Sequence, residues 1–475
     1  MADFAPVSAD VLDELKAIVG ASGWKTGTDA ARFFEDPRDR FAGQASLVLL
    51  PETTEEVSKI VRLCNETGTG IIPYGGGTGV VAGQLSPDSA YAVIVSLQRM
   101  NKVRSIDPED FAMVVEAGCI LENIHAAAAE HNLMFPLSMA SKGSCTIGGN
   151  LATNAGGIQV LRHGNARDLC LGIEAVLANG DVVSELAPLR KNNTGYDLRH
   201  LLIGSEGTLG IITAATLVLK PVDAENVTAF CALKSPTDAL KLFDRLRRAL
   251  GESLNGMELM SRFGVDLVLK HFDQLRSPLE GSHDWYLLAD FAGAHGLASQ
   301  VEETLAAAFE AGLLDDAALA SSEGQRQAIW DMRENTPEAN RITGAICSSD
   351  TSVPLAKIGD FISGCHDAID QVVPGLRVNS YGHIGDGNIH HNVFPPEGTT
   401  KAEFVKDNPG VIEAVRNAIN DVTVACGGSI SAEHGIGRLK RKDLVRYGAP
   451  TKIAAIRSIK SALDPRGILN PGALI

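Results

Sequence analysis

The densest group of side chains able to do chemistry is the stretch YGHIGDGNIHHNV, residues 381–393. His383 and His390 are seven residues apart, so on one uninterrupted strand their side chains would point to opposite faces. The sequence Gly385-Asp386-Gly387 between them predicts a turn, and a hairpin there would let both imidazoles converge on one metal ion. The alternative is a tight turn that only happens to be rich in histidine, because histidine is also a common turn and core residue.

A second fragment, SAEHGIG (431–437), places Glu433 beside His434 between small residues that permit close approach of a ligand. Two histidines and a carboxylate form a set that zinc or manganese accepts, with coordination positions left for a substrate. Neighbouring side chains need not face the same way, so one of this pair could bind the metal while the other acts as a base. The two fragments together favour a metal site over a bare turn.

Three glycine-rich segments lie in the first half: PYGGGTGVVAG (73–83), SKGSCTIGGNLATNAGG (141–157) and KNNTGYDLRHLLIGSEGTLGIIT (191–213). Glycines let backbone N–H groups converge on an anion because no Cβ blocks the approach. An ordinary NAD site is not indicated, since the acidic residue expected about 20 residues after the first loop is missing. Three such segments favour an extended ligand with a large planar group over glycines that merely close turns.

These segments are embedded in an α+β pattern. Short apolar runs closed by glycine or proline dominate as far as Lys220-Pro221, and long helical segments mixed with strands follow. We expect an N-terminal helix near Ser8 or Asp10 and a helix capped by Thr53 or Thr54. The predicted domains are residues 1–221, with a core from about 45, then 222–410, and a C-terminal helical segment, 411–475, that completes the active site.

Composition limits the partners and the compartment. A formal charge of −16 argues against nucleic acid or an anionic membrane as the main partner. The eight scattered cysteines lack a C-x-x-C pair and favour a reducing compartment. The sequence shows neither a secretory signal nor an apolar run of about 18 residues. We therefore expect a cytoplasmic protein without a transmembrane segment, with peripheral attachment to a membrane left open.

The three glycine-rich segments, with LGIEAVLANGDVV, resemble the FAD-binding domain of the vanillyl-alcohol oxidase type flavoproteins over roughly residues 45–221. The resemblance implies non-covalent FAD, since no histidine lies in the first loop or the second cluster. It implies a pyrophosphate cradle formed by Pro73, Tyr74, Gly75, Gly76, Gly77, Thr78 and Gly79. It further implies contacts along the flavin and diphosphate from Ser144, Thr146, Gly149, Asn150, Thr153 and Asn154. The adenosine or ribityl portion would be held by Glu206, Gly210 and Ile212.

The fragments GHIGDGNIHHN, SAEHGIGRLKR and LDPRGILNPG resemble the D-2-hydroxyacid dehydrogenases of this flavoprotein class, which include enzymes for D-lactate and D-2-hydroxyglutarate. The fold implied is a two-part FAD-binding domain followed by an α+β substrate (cap) domain and the helical C-terminal segment. The roles implied are metal binding by His383, His390 and Glu433, proton abstraction by His434, substrate contacts from Arg333 and Asn392, and a flavin contact from Asn470. Zinc is the expected metal, with manganese as the alternative.

One departure concerns substrate choice. Enzymes for 2-hydroxyglutarate carry a lysine two residues before the aspartate of a K-x-D-x-S-x-P segment, and Ser348 stands there in CSSDTSVP (347–354). Ser348 therefore shifts the expectation from D-2-hydroxyglutarate toward D-lactate or D-malate. The expected electron acceptor is an electron-transfer flavoprotein, a cytochrome or a quinone, and a homodimer is possible. The alternatives are a flavin oxidase acting on an aromatic or other alcohol, and a flavin-free structural or metal-storage protein.

Overall fold

The computed structural model describes residues 5–38, 40–86 and 90–475. The chain forms two compact units. The first contains the chain up to residue 157, residues 163–222 and residues 433–475, and the second contains residues 158–162 and 223–432. The predicted boundary after residue 221 lies at the passage from the first unit to the second, within one or two residues.

The predicted C-terminal segment 411–475 is divided between the units, because residues 411–432 belong to the second. The helix that begins at Val411 buries Val415 and Ile419 in the same core as Phe361 of a preceding helix. Apolar burial therefore holds this helix in the second unit, and the chain passes to the first unit only at Glu433. A short helix, Lys401–Asp407, precedes the one that begins at Val411 within the second unit.

The elements as far as residue 222 are short. The helices are α1 (Ala9–Val19), α2 (Thr54–Thr67), α3 (Leu121–Ala129), α4 (Ile147–Ala152), α5 (Val160–His163) and α6 (Leu198–Leu202). The strands are β1 (Trp24–Lys25), β2 (Val48–Leu49), β3 (Gly70–Tyr74), β4 (Ala92–Ser96), β5 (Val103–Asp107), β6 (Ala112–Glu116), β7 (Leu133–Met134), β8 (Cys170–Leu177), β9 (Val182–Glu185), β10 (Gly210–Val218) and β11 (Lys220–Pro221). A 3₁₀ helix spans Gly27–Phe34.

Two sheets organise the first unit. One has the order β1-β2-β4-β3 with β4 parallel to β2 and β3, and the other is antiparallel with the order β5-β6-β10-β8-β9. The helix caps follow the sequence, because Ser8 Oγ accepts from Val11 N and Thr53 Oγ1 accepts from Glu56 N. Loops at the ends of β3 and before α4 and β10 carry the three glycine-rich segments.

The second unit contains one large sheet covered by helices. Its strands are β12 (Glu225–Leu233), β13 (Leu254–Ser261), β14 (Trp285–Gly293), β15 (Asp316–Leu319), β16 (Cys347–Ser348), β17 (Thr351–Ser352), β18 (Arg377–His383) and β19 (Asn388–Phe394). Its helices are α7 (Pro236–Leu250), α8 (Arg262–His271), α9 (Leu297–Glu310), α10 (Glu323–Glu334), α11 (Thr336–Thr343), α12 (Ile358–Val372), α13 (Lys401–Asp407) and α14 (Val411–Ala425). Short 3₁₀ segments span Gly251–Ser253 and Leu355–Lys357.

The antiparallel strands of this sheet have the order β15-β12-β14-β13-β18-β19-β16, and β17 also pairs with β19. Side chains alternate between two cores. Leu259 and Leu287 pack with α7, α9, α12 and α14, whereas Met260 and Leu288 pack with α8, α10 and α11. The face covered by α8, α10 and α11 is the one that carries the polar site residues.

The remaining segment of the first unit, 433–475, forms α15 (Arg441–Tyr447) and α16 (Pro450–Leu463). Leu469 returns to form a parallel bridge with Ile71 of β3. The predicted α+β class, with sheets of both kinds and a helical C-terminal segment, is confirmed. None of the helices in the described part of the chain combines the length and the apolar character needed to cross a membrane.

Candidate active site

A cavity of about 1030 Å³, its open mouth included, lies within the first unit. Parts of all three glycine-rich segments line it, as does His434. The predicted residues on its wall are Pro73, Tyr74, Gly75, Gly76, Gly77, Thr78, Gly79, Thr146, Gly149, Asn150, Thr153, Glu206, Gly210, Ile212 and Asn470. The first unit thus gathers the three separated segments around one space of a size suited to a dinucleotide.

The glycines of the first loop are required by close packing. A Cβ on Gly76 would lie 2.1 Å from the carbonyl oxygen of Ser144, and a Cβ on Gly77 would lie 2.2 Å from Tyr74 Oη. Gly77 also has a φ of 76°, which is the left-handed region that favours glycine. The loop can therefore keep this conformation only with glycine at these positions.

Three polar side-chain atoms on the cavity wall are buried without a partner among the described residues. They are Thr146 Oγ1, Asn150 Oδ1 and Ser205 Oγ. Buried polar atoms in native proteins are nearly always satisfied, and an unsatisfied one costs roughly 1–3 kcal/mol. Hydroxyl and amide groups of this kind suit the oxygen- and nitrogen-rich body of FAD, so the cavity fits that cofactor.

Two of the residues predicted to contact FAD do not line the cavity. Ser144 Oγ donates to Ser141 O at 3.3 Å, and the carbonyl oxygen of Ser144 packs against Gly76. Asn154 has a φ of 50°, and its Oδ1 accepts from Arg167 N at 3.0 Å. The FAD contacts that the resemblance implies for these two residues stay predictions.

Glu206 faces the cavity, but its carboxylate is bonded to protein. Its two oxygens accept from the backbone nitrogens of Ile436, at 2.8 Å, and Gly437, at 2.6 Å. Burial raises the pKa of this carboxyl, and the two backbone N–H groups oppose that effect. Glu206 therefore fixes the loop that follows His434, a role that its position in the third glycine-rich segment did not predict.

Asn470 ties the end of the chain to the same wall. Its Nδ2 donates to the carbonyl oxygens of Gly83 and Glu206 at 3.0 and 2.8 Å, and its Oδ1 accepts from Arg438 Nη2 at 3.0 Å. Burial lowers the pKa of Arg438 to about 10. Arg438, two residues after Ile436, was not among the predicted site residues.

The predicted hairpin is present in the second unit. Strands β18 and β19 pair antiparallel, with Tyr381 opposite His390 and His383 opposite Asn388. The ring centroids of His383 and His390 lie 6.1 Å apart, and both side chains are buried. Gly387 turns the chain with a φ of 84°, and a Cβ there would lie 2.2 Å from Val353 O. The turn brings together the two imidazoles, as the sequence predicts.

In each of these histidines, Nδ1 is hydrogen-bonded to a group that can only accept. His383 Nδ1 lies 2.5 Å from Glu258 Oε1, and His390 Nδ1 lies 3.1 Å from the carbonyl oxygen of Ser349. A carbonyl or an ionised carboxylate cannot donate, so each Nδ1 carries the hydrogen. The lone pair of the neutral ring then lies on Nε2, which is the tautomer that binds a metal with an outer hydrogen-bond partner.

Arg333 lies on the same face of the sheet. Its Nε donates to Glu258 Oε2 at 2.6 Å, and its guanidinium carbon lies 4.8 Å from the centroid of the Tyr381 ring. The Tyr381 ring in turn lies 5.2 Å from that of His390. A buried cation and the His390 imidazole are therefore packed against one aromatic ring, with His383 beside His390, an arrangement able to receive a carboxylate beside a metal ion.

Asn392 and Ser348 form one polar pair on neighbouring strands. Ser348 Oγ donates to Asn392 Oδ1 at 2.6 Å, and the two residues are opposite one another in the pairing of β16 with β19. Because Oδ1 of Asn392 accepts from Ser348, the Nδ2 group of the same amide points away from Ser348 and can donate to another group. His391, between His390 and Asn392, lies on the opposite face against Phe361, as strand alternation predicts.

Glu433 and His434 begin the last segment of the first unit, and both are half-buried. Ala432, the preceding residue, belongs to the second unit, where its N donates to Asp350 O at 3.3 Å. His434 lines the cavity within the first unit. The candidate base thus stands on the wall of the cofactor cavity, held by the loop that Glu206 fixes.

The sequence reasoning missed Glu258, which contacts both His383 and Arg333. It lies on β13 among residues that are all buried, and its own exposed fraction is 0%. The signal was a single acidic residue within an apolar strand, NGMELM (255–260), because an ionised group is almost never fully buried unless it is paired.

Comparison with known proteins agrees with these observations. A model described as "FAD binding domain" matches residues 45–185, and one described as "FAD linked oxidases, C-terminal domain" matches residues 222–474. The mitochondrial D-2-hydroxyglutarate dehydrogenase of Arabidopsis thaliana is 38% identical over 434 residues, which is 91% of this chain and 75% of that protein. The D-2-hydroxyglutarate dehydrogenase of Xanthomonas citri pv. viticola is 36% identical over 452 residues, which is 94% of this chain and 92% of that protein.

Among solved structures, 4-ethylphenol oxidase from Gulosibacter chungangensis superposes with a TM-score of 0.74 at 18% identity, covering 98% of both chains. That likeness concerns the fold. The fold and the glycine-lined cavity define a flavoprotein of the vanillyl-alcohol oxidase type. The chain belongs to the FAD-linked oxidase family, in its D-2-hydroxyacid dehydrogenase group. The predictions of FAD as cofactor and of this enzyme class are confirmed.

The first loop provides a direct test of the cofactor site. In Gly76→Ala the added Cβ would meet Ser144 O, so the loop must shift and we expect the purified variant to lose most of its FAD. Gly83→Ala is the matched control, because a Cβ there has only ordinary contacts at 3.7 Å. The measurement is the flavin absorbance at about 450 nm relative to the protein concentration. Full FAD occupancy in Gly76→Ala would contradict the packing argument.

Proposed function

We propose that the protein oxidises a D-2-hydroxy acid to the corresponding 2-keto acid, with FAD as the hydride acceptor and a divalent metal ion assisting. The observation that carries this proposal is the group on one face of the second unit's sheet. It contains two buried imidazoles with Nδ1 engaged and a buried arginine over the Tyr381 ring, which also contacts His390. A 2-hydroxy acid offers the matching groups, a hydroxyl and a carboxylate on adjacent carbons.

In this proposal Arg333 binds the C1 carboxylate. Its Nε is held by Glu258, and the terminal nitrogens Nη1 and Nη2 are the proposed donors to the two carboxylate oxygens of the substrate. Asn392 donates from Nδ2, since its Oδ1 accepts from Ser348. Two fixed directions of donation orient the substrate and so select one face of its Cα.

The proposed metal ligands are Nε2 of His383, Nε2 of His390 and the carboxylate of Glu433. The imidazole tautomers support the first two. Glu433 is supported by its place in the chain, since Ala432 bonds to Asp350, next to the Ser349 carbonyl that fixes His390. A bound zinc or manganese ion supplies a Lewis acid that lowers the pKa of the substrate hydroxyl. Zinc is the first choice for this donor set.

His434 is proposed to accept the hydroxyl proton. Its position on the wall of the FAD cavity supports this role, and Glu206 keeps its loop in place through Ile436 and Gly437. The C–H bond then breaks with its electron pair, the C–O bond becomes a carbonyl, and the proton stays on the imidazole. FAD, when bound, supplies the acceptor for that hydride.

The choice of acid rests on two opposing observations. The relatives from Arabidopsis and Xanthomonas are described as D-2-hydroxyglutarate dehydrogenases. Against that, a neutral residue, Ser348, stands where a lysine would bind the distal carboxylate of a five-carbon diacid. We propose D-2-hydroxyglutarate as the first candidate on the strength of the relatives, and D-malate or D-lactate as the second on the strength of Ser348.

A substrate panel tests the proposal. The FAD-loaded enzyme is assayed with a dye acceptor on D-2-hydroxyglutarate, D-malate, D-lactate and an aromatic alcohol. Turnover of at least one D-2-hydroxy acid, with the 2-keto acid as product, is expected. The alternative of an alcohol oxidase would require turnover of the aromatic alcohol with peroxide formation and none of the acids. The structural likeness to 4-ethylphenol oxidase, at 18% identity, shows the fold alone.

Ser348→Lys tests the distal contact. The added ammonium is expected to raise kcat/KM for D-2-hydroxyglutarate relative to D-lactate by about tenfold, because a charge-assisted hydrogen bond contributes roughly 1.5–3 kcal/mol. Ser348→Ala is the matched control, since it removes the bond to Asn392 without adding charge. An unchanged ratio of the two kcat/KM values in Ser348→Lys would place Ser348 away from the distal end of the substrate.

The electron acceptor, the cellular location and the oligomeric state stay predictions. We propose an electron-transfer flavoprotein, a cytochrome or a quinone as the acceptor, in keeping with a sequence that lacks an ordinary nicotinamide-binding pattern. A cytoplasmic location, with or without peripheral membrane attachment, and a homodimer are proposed on the sequence grounds given above. The predicted domain limits, 1–221, 222–410 and 411–475, also stay predictions.

A further inference from the structure

Glu258 is an ionisable group placed where water does not reach. It lies in the middle of β13, and the carboxylate is on the sheet face covered by α8, α10 and α11. Moving an isolated carboxylate into such a core is very costly unless its charge is balanced and its oxygens are bonded. The position therefore demands partners, and the two it has belong to different elements.

The two oxygens of Glu258 are divided between these partners. Oε2 accepts from Arg333 Nε of α10 at 2.6 Å, and Oε1 accepts from His383 Nδ1 of β18 at 2.5 Å. His383 lies directly opposite Glu258 in the pairing of β13 with β18. Arg333, a buried cation whose Nε lies 2.6 Å from Oε2, balances the charge of this carboxylate.

Each bond fixes what its partner presents elsewhere. For His383, the hydrogen on Nδ1 leaves the lone pair on Nε2, and a hydrogen-bonded carboxylate makes the ring a stronger metal ligand. For Arg333, engagement of Nε sets the plane of the guanidinium, with the Tyr381 ring 4.8 Å from its carbon. A single side chain therefore determines the direction of a metal ligand and of a carboxylate-binding arm.

We propose that Glu258 is a positioning residue that couples the two halves of the substrate site, holding Arg333 and His383 in one hydrogen-bonded unit. The proposal rests on the proposed function, in which Arg333 receives the C1 carboxylate and His383 binds the metal. Its consequence is that one substitution at a residue that touches neither substrate nor metal weakens both interactions together.

A second buried carboxylate provides the control. Asp290 lies on the neighbouring strand β14 on the same face, with an exposed fraction of 1%. It accepts from Thr228 Oγ1 at 2.5 Å, Asn255 Nδ2 at 2.9 Å and Trp330 Nε1 at 3.3 Å. Trp330 belongs to α10, so Asp290 secures the helix that carries Arg333 while its bonds do not involve the metal ligand. Asp290 also lies 3.7 Å from Arg326 Nε of the same helix, so its loss reports the cost of disturbing a buried network of hydrogen bonds and an ion pair that does not include His383.

The test compares Glu258→Gln with Asp290→Asn in FAD-loaded protein. Zinc affinity is measured by competition with a chromogenic chelator, and the KM for the preferred D-2-hydroxy acid is measured at saturating zinc. An amide accepts only on its oxygen, so the side chain introduced by Glu258→Gln would turn its NH2 group toward one of the two donors that Glu258 now binds with separate oxygens. We expect Glu258→Gln to weaken zinc binding by about 10–100-fold and to raise KM by about tenfold or more. Asp290→Asn should lower Tm while keeping zinc affinity within about threefold of the wild type.

Glu258→Asp covers the case in which the glutamine variant does not fold. It keeps the balancing charge but is shorter by one methylene, so it should change zinc affinity and KM in the same direction. Wild-type zinc affinity and KM in both Glu258 variants would overturn the proposal, as would equal losses of zinc affinity in Asp290→Asn. If the wild type itself binds no divalent metal, the metal-assisted function fails first and the coupling falls with it. That result is distinguishable because it appears without any substitution.

Discussion

In the His434→Ala variant we expect the purified protein to stay yellow while its flavin is reduced by substrate about 10²–10⁴-fold more slowly than in the wild type. The reason is that His434 is the proposed acceptor of the hydroxyl proton, and a positioned base contributes an effect of that size. FAD should remain bound because the glycine loop and the buried polar atoms that fit it are untouched. The measurement is stopped-flow bleaching of the flavin absorbance at about 450 nm under anaerobic conditions.

His295→Ala is a suitable control for that experiment. Its side chain is 88% exposed and lies beside Glu225, away from the site residues named above. It should reduce its flavin at the wild-type rate. Added imidazole should restore part of the rate in His434→Ala by replacing the missing base. Fast reduction in His434→Ala without imidazole would remove this residue from the role of base.

Removal of divalent metal should have an effect of comparable size. If the metal contributes about 3 kcal/mol to stabilising the transition state, a metal-free preparation should lose roughly 100-fold in turnover. His390→Ala should behave like the metal-free wild type, since it deletes one proposed ligand and leaves the FAD cavity in the first unit untouched. Turnover with a dye acceptor and metal content by elemental analysis are measured on the same samples.

Re-addition identifies the ion. Zinc, or manganese as the alternative, should restore turnover to the stripped wild type but not to His390→Ala. Retained FAD absorbance in both samples separates metal loss from unfolding or cofactor loss. Full turnover in a wild-type preparation shown by analysis to contain no divalent metal would return His383 and His390 to a purely structural role.

The hairpin shows what local sequence can predict. Gly385-Asp386-Gly387 between His383 and His390 specified a turn, and a turn joining two antiparallel strands brings the rings to 6.1 Å. The same holds for the caps at Ser8 and Thr53, where a side chain satisfies a backbone donor a few residues away. These features depend on interactions within a short span of chain, which is why spacing alone is informative.

Features that depend on distant pairing were not predictable in the same way. Glu258 meets its partners from 75 and 125 residues away, so only its apolar surroundings in the sequence marked it as unusual. Asn154 and Ser144 stand among residues that line the cofactor cavity, yet neither lines it. The helix Val411–Ala425 joined the second unit because its buried face fits that core, which no boundary signal in the sequence expresses.

The proposed reaction removes a hydride from the Cα of a D-2-hydroxy acid. It can be tested by anaerobic mixing of the FAD-loaded protein with the separate D and L enantiomers of 2-hydroxyglutarate, malate and lactate. We expect at least one D enantiomer to bleach the flavin and yield one 2-keto acid per flavin, while its L enantiomer leaves the flavin oxidised. Flavin that stays oxidised with all three D acids, or that is reduced equally by both enantiomers, would contradict it.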